Sequence, residues 1–158
     1  MKRKIFFMAI LICATTHYAF SAEPDFTGTW VLDTEKSTMG SGRSGAGKLP
    51  MQKVTVVIKQ TGTTLSIERK TADRTETAVF KLDGTETVNK LPSGNDIKST
   101  SDWVGSTLVT KSTMVLEGTT VQATDVRSLS PDGKVMTIQV TSQTPNGEAK
   151  STVVYNKQ

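Results

Sequence analysis

Lys53 to Lys70 reads KVTVVIKQTGTTLSIERK, two alternating runs split by a short polar break. Val54, Val56 and Ile58 share one side of the first run, and Leu65 and Ile67 share one side of the second. Successive side chains of a strand point to opposite faces, so a period of two marks a strand with one buried and one solvated face. The break, QTGT with Gly62, supplies a tight turn. The stretch is a β-hairpin, and it sets the frame for reading the rest of the chain.

The same pattern recurs on both sides of it. FTGTWVL places Phe26, Gly28, Trp30 and Leu32 on one face, and TETAVFKLDG does so with Ala78, Phe80 and Leu82. STLVTKSTMVLEG aligns Leu108, Met114 and Leu116, with Thr110 and Ser112 between them. TVQATDVRSLS puts Val121, Ala123 and Leu129 on the face that also carries Asp125 and Arg127. KVMTIQVTS aligns Met136, Ile138 and Val140, and STVVYNK closes the chain. Turn residues separate these runs at Asp83-Gly84, Pro92 to Asn95, Glu117-Gly118, Pro131 to Gly133 and Pro145 to Gly147. No stretch holds a helical period over ten residues. An all-β, antiparallel up-and-down meander of about 8–10 strands follows, each strand with one apolar face to hide. A closed barrel hides those faces, and a two-sheet sandwich is the alternative. Two segments break the pattern: 33–50, a polar and glycine-dense connection expected to act as a mobile lid, and 85–97, with room for a short strand near 86–88.

The N-terminus reads differently. MKRKIFFMAILICATTHYAFS carries Lys2, Arg3 and Lys4, then an apolar run, then small Ala19 and Ser21 at the −3 and −1 positions of a cut before Ala22. That is the layout of a secretory signal peptide. Its apolar run is shorter than the roughly 20 residues that span a bilayer. Bulky Ile12 before Cys13 argues against lipidation. Residues 1–21 are therefore expected to be cleaved, leaving 22–158 as one exported domain, periplasmic or secreted, with no integral membrane segment.

Cleavage changes the available chemistry. The full chain of 158 residues has 19 Lys and Arg against 15 Asp and Glu, a net charge of +4, but three of the basic residues lie in the signal. The mature chain is nearly neutral, so the pI of about 9.2 is no argument for a nucleic-acid partner. The single cysteine, Cys13, and the single histidine, His17, also lie in the signal. Disulfides, thiol or Ser-His-Asp catalysis and His- or Cys-ligated zinc are thereby excluded from the mature domain. Asp73, Glu76, Asp83, Glu86 and Asp102 are scattered through turns and outward-looking positions, with no spacing that selects a catalytic pair. No catalytic residue, metal site or cofactor is expected, and the basic residues lack the aromatic interleaving of a nucleic-acid platform.

GSGRSGAGKLP, from Gly40 to Pro50, satisfies the G-x-x-x-x-G-K opening of a nucleotide-binding loop at Gly42, Gly47 and Lys48. Such a loop needs a buried strand before it, a helix after it, and Ser or Thr after the lysine to hold magnesium. Here Leu49 and Pro50 follow, then a strand pattern, so nucleotide binding is excluded.

Gly28-Thr29-Trp30 resembles the G-x-W signature of lipocalins and the wider calycin group. The opening strand and the LSPDGK hairpin at Leu129–Lys134 are similar to those of small secreted bacterial proteins of lipocalin-like type. SLSPDGKVMTI also resembles one blade of a β-propeller, but no second copy of a 40-residue repeat exists. The calycin resemblance implies a barrel that holds a small, mostly apolar ligand. It also implies that Trp30 closes the barrel floor against a late-strand arginine, a role that Arg127 fills.

Alternation turns Asp125 and Arg127 inward, and Arg69 after Leu65 and Ile67 likewise. An inward arginine needs a partner, and fatty-acid-binding relatives use one to hold a carboxylate. A bulge that turns the charges to solvent, or a mutual ion pair, would serve structure instead. The expected lining of the interior is Trp30, Arg69, Phe80, Leu108, Met114, Asp125, Arg127 and Met136. Medium-sized inward residues leave room in such a barrel. The reading is non-enzymatic binding of a small hydrophobic or amphipathic ligand, with an envelope interaction module of filled barrel as the alternative.

Overall fold

In the computed structural model, residues 23–38, 53–116, 118–144 and 147–158 are described. The glycine-rich stretch 40–50 and the segment 1–21, expected to be a signal peptide, lie outside the described residues. Ten strands run through the described residues. They are β1 (Gly28–Leu32), β2 (Thr55–Gln60), β3 (Thr64–Lys70), β4 (Thr75–Lys81), β5 (Thr87–Lys90), β6 (Asp96–Val104), β7 (Thr107–Leu116), β8 (Thr119–Leu129), β9 (Val135–Thr144) and β10 (Gly147–Lys157). All pairings are antiparallel, in the order β4-β3-β2-β1-β10-β9-β8-β7-β6-β5. The up-and-down meander is thus a nearly closed barrel rather than a sandwich, with no helix among the described residues.

Register decides which side chains face inward, because directly opposed residues share a face. Trp30 opposes Val56, Ile58 opposes Ile67, and Leu65 opposes Phe80. On the other side Leu32 opposes Tyr155, which opposes Met136, which opposes Leu129. These residues form one core, with Phe26, Trp30, Leu65 and Leu108 fully buried. Leu82, just past β4, joins it.

β6 has no counterpart among the apolar alternations of the sequence. Its inward positions include Ser99 and Ser101, both buried, which face Ser112 and Thr110 of β7. The hydroxyls pair across the strands, Ser101 Oγ to Thr110 Oγ1 at 2.8 Å and Ser99 Oγ to Ser112 Oγ at 3.1 Å. Paired hydroxyls can be buried without the penalty of an unmet hydrogen bond.

The barrel closes through two different kinds of contact. β1 and β10 pair by backbone. β4 and β5 are bridged by side chains: the Asn89 carboxamide accepts from the Val79 N–H at 2.9 Å and donates to the Val79 carbonyl at 2.8 Å. Thr87 Oγ1 accepts from the Lys81 N–H at 3.1 Å. Asn89 thus copies the paired hydrogen bonds of a backbone ladder. Nearby, Gly84 sits at φ +76° with its N–H donating to the Ser101 carbonyl at 3.0 Å, and a Cβ there would lie 2.6 Å from Asp102 Oδ1. Asn89→Ala should cost about 0.5–1.5 kcal/mol, the net worth of a hydrogen bond whose backbone partners can turn to water. Hydrogen exchange at the Val79 and Lys81 amides should speed up more than at β2 or β9, and uniform protection would refute the seam's dependence on Asn89.

Part of the polar connection after β1 is firmly built. Thr38 exchanges both backbone hydrogen bonds with Thr152 of β10 at 2.7 and 2.9 Å. Ser37 is buried and accepts from the Val154 N–H at 2.9 Å. Asp33 accepts from Asn156 Nδ2 at 3.0 Å, which with the Lys36 N–H holds its pKa down to about 2. The expected lid therefore does not begin at 33: residues 33–38 are pinned to the barrel wall, and the remainder, from 39, lies outside the described residues.

Candidate functional site

One end of the barrel is sealed by the chain that leads into β1. Gln60 anchors that segment: its Oε1 accepts from the Phe26 N–H at 3.0 Å and its Nε2 donates to the Pro24 carbonyl at 3.0 Å. Phe26 is thereby driven into the barrel end, where its carbonyl accepts from Trp30 Nε1 at 2.9 Å. The cation over Trp30 is Lys157 of β10, its Nζ 5.2 Å from the ring centroid. Gly28 makes room for it. Its φ is +145°, and a Cβ would stand 2.7 Å from Lys157 Cε. The glycine and the tryptophan of the G-x-W motif therefore serve one arrangement, a floor tryptophan capped by a cation.

Arg127 does not pair with Trp30. Its guanidinium carbon lies 5.8 Å from the Phe26 centroid, and Phe26 stacks on Trp103 at 5.9 Å with an interplanar angle of 8°. Trp103, Leu108 and Arg127 occupy one row across β6, β7 and β8, and Phe26 covers that row from the end of the barrel. Arg127 is only 7% exposed, and its Nε has no hydrogen-bond partner. Burial weakens its hold on its proton, an effect that Asp125 and then Tyr155 oppose.

Asp125 stands two residues away on the same inner face, opposite Thr110 and Val140. No ion pair within 4.0 Å joins it to Arg127 among the described residues. Both charges face inward, so neither a bulge nor a close mutual pair accounts for them. Burial raises the pKa of Asp125, against the pull of Arg127. Tyr155, across β9, is pushed up by burial and held back by Arg69 and Arg127.

The remaining interior residues divide by height. Leu108 and Met136 are buried at the floor with Trp30, and Phe80 packs against them. Arg69 lies on the inner face but is 46% exposed, 3.9 Å from Glu76, which also pairs with Arg74. Glu76 is therefore an inward, half-buried residue rather than an outward one. Met114 sits toward the far end, half-buried. Sequence reasoning missed Phe26, Trp103 and Tyr155 as parts of the site, although Tyr155 lies in an alternating run that could have marked it. Among the described residues no cluster of Asp, Glu, His or Cys is placed to hold a metal ion.

Away from the floor, the inward positions are less completely buried. Ile138 and Val153 pack against the core, whereas Val121, Ala123, Asp125, Val140 and Ser142 face inward by register and keep partial exposure. A packed core would bury them. The interior thus has a sealed apolar floor and, above it, a less tightly buried inner face on which Asp125 stands, with Arg127 deeper.

Because Asp125 carries a raised pKa, it binds its proton more tightly when folded than when unfolded. The folded state then holds more protons between the unfolded value near 4 and the raised folded value, so stability falls as pH rises through that window. Asp125→Asn should remove that decline. Melting temperatures of both proteins between pH 4 and 8 test it, and parallel curves would count against the buried carboxylate.

No protein-family model matches this chain, and no curated protein matches it in sequence. Solved structures do resemble it. A protein described as REP1-NXSQ fatty acid transporter aligns with a TM-score of 0.62 at 18% identity, over 84% of this chain and 96% of that one. The zebrafish ileal bile-acid-binding protein complexed with cholic acid aligns at 0.60 and 16% identity, over 84% and 98%. A mutant of the fluorescent protein UnaG aligns at 0.57 and 19% identity, over 84% and 96%. These likenesses show a shared fold, an antiparallel up-and-down β-barrel.

Proposed function

We propose that this chain is an exported, non-enzymatic carrier that holds a small hydrophobic or amphipathic molecule inside its barrel, of the small secreted bacterial lipocalin-like type. The single observation that carries the reading is the partial exposure of inward-facing residues above a sealed floor. Apolar surface kept in contact with water inside a barrel is the normal condition of a ligand cavity. Trp30, Phe80, Leu108 and Met136 form the apolar end, Met114 lines the far wall, and Arg127, with Asp125 and Arg69 nearby, provides charge. Arg127 would meet an anionic end of the ligand, since a desolvated guanidinium gains most from an oxygen acceptor. The fold neighbours described as a fatty acid transporter and a bile-acid-binding protein agree with a binding role. Export to the periplasm or beyond rests on the basic, apolar and small-residue order of 1–21.

Native mass spectrometry of the protein taken gently from its own envelope fraction tests the reading. A discrete added mass that is lost on denaturation supports it. Bare protein that also takes up no apolar fluorescent probe would overturn it and favour an envelope interaction module with a filled barrel.

A further inference from the structure

We propose that Asp125 links ligand uptake to protonation, so that an anionic ligand enters this barrel together with one proton and is released as pH rises. The inference rests on the carrier reading above and concerns its regulation. Asp125 and Arg127 occupy successive inward positions of β8, roughly 7 Å apart along the strand. Arg127 lies deeper, over Phe26 at the sealed end, while Asp125 is the more exposed of the two. An anion reaching for the guanidinium must therefore settle beside the Asp125 carboxylate. No described cation comes within 4.0 Å of Asp125 to neutralise it.

The surroundings leave Asp125 as the group that must change. Its facing partners on β7 and β9 are Thr110 and Val140, which do not titrate in this range. On its own strand the charged inward neighbour is Arg127. Across the interior stand Tyr155 of β10, Arg69 of β3 and Glu76 of β4, and Glu76 is already paired with Arg69 and Arg74. Burial favours the protonated form of Asp125, so the proton is held where the ligand needs it. Coupling is reciprocal: whatever factor the proton adds to ligand affinity, the ligand adds to proton affinity. The proton goes to the Asp125 carboxyl, which then bears no charge beside the bound anion.

Two probes that share one frame test this. 1-Anilinonaphthalene-8-sulfonate keeps its negative charge across the pH range, and N-phenyl-1-naphthylamine is its uncharged counterpart. Titrations between pH 4 and 9 should show the sulfonate losing affinity by about tenfold per pH unit above the Asp125 transition, the slope of one linked proton. The uncharged probe should bind with little change. Asp125→Asn should flatten the sulfonate profile and tighten binding at pH 8. Calorimetry of the wild-type protein at a pH above the Asp125 transition, in two buffers of different ionisation enthalpy, should show close to one proton taken up per sulfonate bound, independently of whether the variant folds. A flat wild-type profile, a slope that survives in Asp125→Asn, or no proton uptake would each overturn the linkage. Failure of both probes to bind at any pH would instead overturn the carrier reading itself.

Discussion

Trp30→Ala is expected to destabilise the protein by about 3–5 kcal/mol, the range for removing a large buried aromatic side chain. Total stability of single domains is about 5–15 kcal/mol, so the variant should lose a large part of it. Three contacts go together: full burial at the floor, the Nε1–H bond to the Phe26 carbonyl at 2.9 Å, and the ring face that holds Lys157. Trp30→Phe keeps much of the bulk but leaves the Phe26 carbonyl unpaired, a loss of about 1–3 kcal/mol. Urea unfolding followed by circular dichroism would order wild type, Phe and Ala in that sequence. An alanine variant within 1 kcal/mol of wild type would mean that the floor is not the anchor of the barrel.

Arg127→Met should instead act on binding. Hydrogen bonds to charged groups are worth about 1.5–3 kcal/mol, which corresponds to roughly 10- to 100-fold in affinity. The sulfonate probe should lose that much, and the uncharged probe should be nearly unaffected. Methionine keeps the apolar stem that packs on Phe26 and Leu108, and Asp125 can protonate once its cation is gone, so the fold should persist. Equal loss for both probes would show that Arg127 shapes the cavity rather than reading charge. Global unfolding would give it a structural role with Asp125.

Much of the architecture was legible because it rests on local alternation. Val54, Val56 and Ile58 declare their inward face at every second residue, and Gly or Asn at the turns separates one strand from the next. β6 was not legible for the same reason inverted. Its inward Ser99 and Ser101 are hidden by pairing with Ser112 and Thr110, so they leave no apolar trace. The β4–β5 seam depends on Asn89, whose role exists only once Val79 is brought beside it.

The site divides in the same way. Trp30, Leu108, Met136 and the inward direction of Asp125 and Arg127 follow from the period of two. Their partners do not. Phe26 meets Trp103 and Arg127 from far along the chain, and Lys157 rather than Arg127 caps Trp30.

Sequence alone determined that the chain is a meander of half-buried strands, since period and turn chemistry act over a few residues. Only the tertiary structure decided where the barrel is sealed, which cation meets which ring, and that a carboxylate and a guanidinium whose Nε has no hydrogen-bond partner share one inner wall. Those outcomes depend on register and on long-range closure, where a side chain's partner is set by the position of another strand and not by its own neighbours.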